Sequence, residues 1–87
     1  MRLLVTFYSV SSALMLDSAA KKRGIPCRLI PVPRSLSSSC GYAAELDGMD
    51  AEGPGGLEEL LRSLRIDWES LCQAGEAGCQ VLRRNGS

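Results

Sequence analysis

Between Arg34 and Gly41 the chain reads RSLSSSCG, which sets Cys40 behind three consecutive serines, Ser37, Ser38 and Ser39, and directly before a glycine. A cysteine acts as a nucleophile only as its thiolate, so its surroundings must favour negative charge. Arg34 offers a permanent cation, the three serines offer hydroxyl donors, and Gly41 lets backbone amides curl around an anion. This is the composition of a thiol site that needs no general base. The same residues also fit a solvated turn in which serines satisfy their own backbone and Cys40 is a small half-buried apolar group.

The rest of the composition narrows the chemistry. Among 87 residues there is no histidine, so Cys/His and Ser/His/Asp catalysis cannot be assembled within this chain. Ten basic and ten acidic residues give a net charge of zero, without the basic excess that binding nucleic acid or an anionic membrane surface requires. The serine loop lacks the glycines and lysine of a Walker A loop, and no close acidic pair suggests a glycosidase or two-metal site. Cys72 and Cys79 stand seven positions apart, unlike the short spacing of a zinc ribbon, which leaves an all-cysteine metal site as the weakest reading. We therefore expect no metal and no cofactor. Arg28 and Arg34 are candidates for steering an anionic substrate, Cys27 for the core, Trp68 for a core or interface anchor, and Cys79 for a resolving thiol, which tail mobility disfavours.

The elements that must hold this loop follow from periodicity. Leu3 to Tyr8 is a short apolar run that predicts a strand. Ser9, Ser11 and Ser12 are N-cap candidates for a helix over about 11–23, with Ala13, Leu16 and Ala20 on one face and Gly24 as a left-handed stop. Cys27 to Val32 reads as a second strand with its prolines at an edge or end, and Gly41 to Leu46 as a third, the weakest because of its two alanines. After the glycine-rich connector Asp47 to Gly56, Leu57, Leu60, Leu61 and Leu64 predict a helix that starts near Pro54 to Leu57, with Glu58 and Arg62 paired on its wet face. Ile66 to Cys72 alternates like a fourth strand.

The order predicts an α+β fold, a ferredoxin-like β-α-β-β-α-β sandwich with a four-stranded antiparallel sheet and two helices on one face. A single domain is expected over 1–74, with 75–87 as a flexible tail. The uncovered sheet face is then a candidate homodimer or partner surface. The apolar start at Met1 to Val5 is broken by Thr6, Tyr8, Ser9, Ser11 and Ser12 before it reaches signal-peptide length, and no stretch has the roughly 20 apolar residues of a membrane helix. The expectation is a cytoplasmic protein with free thiols.

The run GIPCRLIPVPRSLSSSCGYA, preceded by LVTFYSVSSALMLDSAAKKR, resembles the selenium/sulfur (Se/S) carrier protein-like family, a small bacterial domain. The resemblance covers about Leu3 to Cys72, and its specific part is Pro33-Arg34 followed by Ser38-Ser39-Cys40-Gly41. It implies a small cytoplasmic carrier whose loop cysteine, Cys40, holds sulfur or selenium as a persulfide or selenosulfide. Arg34, Ser37, Ser38, Ser39 and Gly41 would be its anion-stabilising surroundings, and donor and acceptor proteins its partners, with no turnover of its own. The connector Asp47 to Gly56 and the additional Cys72 and Cys79 depart from the family pattern. The competing reading is a small regulatory or protein-interaction domain without thiol chemistry.

Overall fold

A computed structural model describes residues 2–32, 41–48, 53–75 and 78–85. The elements are β1 (Arg2–Phe7), α1 (Val10–Lys22), β2 (Cys27–Pro31), β3 (Tyr42–Leu46), α2 (Gly53–Ser63), β4 (Trp68–Gly75) and β5 (Gly78–Arg84). All pairings are antiparallel in one sheet of order β2-β3-β1-β4-β5. The class is α+β as expected, but the sheet has five strands among the described residues, not four. The addition is β5, from the segment expected as a tail. Its residues are mostly exposed or half-buried, and its glycines, glutamine and arginines obscure the period of two by which a strand is recognised.

Both helices contribute to one core. Leu16 and Ala20 of α1 and Leu57, Leu60 and Leu61 of α2 share it with Leu3, Val5 and Phe7 of β1, Ala44 and Leu46 of β3, and Trp68 and Leu71 of β4. Alternation sets that face of the sheet against Leu4, Thr6, Ala43, Glu45, Ser70 and Cys72, which are also buried although they lie on the opposite face. Ala43 and Ala44 are fully buried in β3, a strand paired on both sides, with β1 and β2.

The chain turns where its residue types permit. Ser9 caps α1, its hydroxyl accepting from the Ser12 backbone N–H at 3.4 Å. Gly24 ends the helix at φ +75°, with Ile25 N–H donating to the Ala20 carbonyl at 2.9 Å. The helix begins at Val10, one residue before the sequence reading. α2 keeps the expected leucine stripe and ends by the same closure, Ile66 N–H to Leu61 O at 3.1 Å, but with a non-glycine, Arg65, at φ 56°.

Candidate functional site

β2 and β3 are consecutive antiparallel strands whose ladder runs from Cys27 opposite Leu46 to Pro31 opposite Tyr42. The ladder is continued by Val32, whose N–H donates to the Gly41 carbonyl at 3.1 Å. This bond closes the mouth of the loop read as the thiol site, and Gly41 stands at φ +79°, in the left-handed region that glycine adopts freely. Arg34, Ser37, Ser38, Ser39 and Cys40 lie outside the described residues. Gly41 is therefore the one residue of the predicted thiol loop that the structure places.

The described thiols are Cys27, Cys72 and Cys79, all free. Cys27 is half-buried against the core at the start of β2, and its pKa is pushed up to about 12, first by burial and then by the nearby Asp17 carboxylate, with Lys21 opposing. A thiol so disposed stays protonated at neutral pH and is a poor nucleophile. Lys21 bridges to Asp17 at 2.9 Å. The sequence reading of Cys27 as part of the packed interior thus holds to the extent of half-burial.

Arg28, a candidate for anion steering, is engaged: its Nε lies 2.8 Å from Glu45 Oε1 on the adjacent β3. Arg2 approaches the same carboxylate from β1, at 3.9 Å. The buried Glu45 thus ties three neighbouring strands together at the helix-free face, the one that no described helix covers. Trp68 is 6% exposed and lies in the core, as expected.

Cys72 and Cys79 sit on β4 and β5. Gly41 marks the Phe7 end of β1, because Ala43 pairs with Thr6, whereas Cys79 is opposite Ala74, which is opposite Arg2 at the other end. Three strand spacings and six residues of strand separate the two positions by about 25 Å. Cys40, the thiol that Cys79 was read as resolving, lies outside the described residues. Sequence reasoning missed the neighbourhood of Cys72. Ser70 Oγ is 3.7 Å from its Sγ, and the hydroxyl contact and the Arg84 charge both favour the thiolate, although burial dominates and raises its pKa. The signal was present in the alternation Ser70, Cys72, Ala74, which places all three on one face.

Among the described residues no group of three or more His, Cys, Asp or Glu could hold a metal ion. No described helix is long and apolar enough to cross a membrane. No curated protein and no solved structure matches the chain. Residues 2–73 match the family described as Putative Se/S carrier protein-like, a span that runs from β1 into β4 and includes the whole β2–β3 loop, and the chain belongs to that family.

Proposed function

We propose that the protein carries sulfur or selenium on Cys40 and delivers it to a partner. The observation that carries this reading is the family match across residues 2–73, within which RSLSSSCG is the segment composed for thiolate chemistry. In the proposed cycle the Cys40 thiolate attacks the outer sulfur of a donor persulfide and expels the donor thiolate. The resulting Cys40 persulfide then passes its outer sulfur to an acceptor thiolate, which regenerates the Cys40 thiolate. Arg34, Ser37, Ser38, Ser39 and the amide of Gly41 stabilise the anion. Selenium follows the same route as a selenosulfide. The partners are donor and acceptor proteins, the setting is the cytoplasm, and β1 to β4 with the two helices are read as a ferredoxin-like core to which β5 is added.

Intact-protein mass spectrometry after incubation with a persulfide donor, or with selenite and thiol, tests the reading. Adducts are expected in a variant with Cys27, Cys72 and Cys79 all changed to serine, and are expected to vanish in Cys40→Ser. Equal labelling of all four cysteines, or of none, overturns the carrier mechanism.

One observation favours the interaction-domain reading. Leu14 and Met15 of α1 are about half exposed and line a groove with Ala19 and Leu64, bordered by Lys22 and Arg23. Under that reading this groove, not the loop, is the functional feature, and Cys40→Ser leaves partner binding unchanged. A homodimer through the helix-free face has less support, since Leu4, Thr6, Ala43, Ser70 and Cys72 are already buried within one chain.

A further inference from the structure

Cys72 and Cys79 occupy neighbouring antiparallel strands in an unbroken stretch of ladder, in which Cys72 is opposite Val81 and Ala74 is opposite Cys79. The irregularity in this pairing falls outside that stretch, between Leu71 and Cys72. Positions 72 and 74 share a face, so both thiols project from the helix-free side as diagonal neighbours. Such neighbours in a regular sheet are about 7–8 Å apart, beyond the upper limit of about 6.8 Å between Cα atoms for a disulfide. Closure thus asks for a backbone shift at the Gly78 end of β5, an edge strand whose one ladder partner is β4 and whose further ties, through Leu82, Arg83 and Asn85, lie toward its other end. The two thiols differ in access: Cys72 is fully buried, Cys79 half-buried. Cys79 lies close enough to Cys72 for its charge to be felt there, as do Ser70 and Arg84.

The geometry points to a second thiol site, a redox pair in which Cys79 meets a peroxide and Cys72 resolves it as an intramolecular disulfide. The Cys79 thiolate attacks one peroxide oxygen, the O–O bond breaks, and hydroxide leaves, forming a sulfenic acid. The Cys72 sulfur then attacks the Cys79 sulfur; the S–S bond forms, the S–O bond breaks, and the oxygen departs as water with the Cys72 proton. Two thiols lose two electrons and two protons, and hydrogen peroxide is reduced to two waters. A diagonal bridge of this kind is strained, and strain makes a disulfide easily reduced, which suits reversible modification and not permanent cross-linking. The site lies at the end of the sheet away from the β2–β3 loop and does not depend on the carrier reading.

The test uses the full chain with Cys27→Ser and Cys40→Ser, treated with hydrogen peroxide, alkylated, and read by intact and peptide mass spectrometry. The expected result is loss of two hydrogens and of both alkylation sites, with peptides joined through Cys72 and Cys79, all reversed by dithiothreitol. Adding Cys79→Ser, a change at a half-buried edge position, abolishes the two-hydrogen loss while circular dichroism stays that of the parent. Cys79 recovered as sulfinic acid beside an unmodified Cys72, or links found only between chains, overturns the proposal. The carrier reading fails separately, through Cys40.

Discussion

At the scale of single residues, the thiols differ by what surrounds them, and the difference is measurable. Cys27 has its pKa raised from an ordinary 9.0 to about 12 by burial and by Asp17, so the folded state holds the thiol proton more tightly than the unfolded chain does. Below about pH 9 that preference contributes its full stability. Above it, the unfolded chain ionises while the folded one does not, and the contribution is lost progressively towards about pH 12. Urea midpoints followed from neutral to alkaline pH should therefore fall more steeply for the wild type than for Cys27→Ala, in which this one linkage is absent. Parallel slopes would mean that the Cys27 thiol ionises alike in both states. None of this was legible in the sequence, because the neighbours are ten residues apart in the chain and meet only through packing of α1 against β2. The residue types of the RSLSSSCG segment are contiguous and so could be read as a unit, but only its Gly41 lies within the described residues. Glu45 was not legible, because its role depends on arginines from two other strands.

The elements were legible wherever local chemistry and packing agree. α1 has its serine cap, its small apolar stripe and its glycine stop in register, and the strands before and after it follow from apolar runs and prolines. α2 is well marked by leucines but poorly stopped, for Arg65 takes the left-handed conformation that Gly24 takes after α1. A side chain there costs about 1–2 kcal/mol in backbone strain. Glycine relieves that strain but loses more entropy on folding, about 0.5–1 kcal/mol. We expect Arg65→Gly to stabilise the protein by about 0.5–1 kcal/mol, read as a higher urea midpoint at unchanged slope. Gly24→Ala, where φ is +75°, should destabilise by a similar amount for the converse reason. An unchanged midpoint in both variants would show that neither helix stop is limiting.

For the whole molecule, the question that sequence pattern left open is where the fold ends. The family match stops at residue 73, inside β4, yet the sheet continues through β5. That strand is hard to read because an edge strand with one neighbour alternates weakly, and its apolar residues, Cys79, Val81 and Leu82, are only half-buried. It is nonetheless tied in at several points. Leu82 packs on the core, Arg83 Nε reaches Glu58 of α2 at 2.9 Å, and Asn85 N–H donates to the Glu69 carbonyl at 3.1 Å. Three half-buried apolar side chains at about 1 kcal/mol each, a surface ion pair worth up to about 1 kcal/mol, and a ladder that leaves β4 as an unpaired edge when removed predict a loss of about 2–4 kcal/mol for a chain ending at Gly75. A domain of this size has a total stability of about 5–10 kcal/mol, so the truncated chain should melt markedly lower, and its buried Cys72 should become open to alkylation. A true tail predicts neither change. An unaltered midpoint with Cys72 still protected would return the boundary to β4, and with it remove the scaffold on which Cys79 is brought to Cys72.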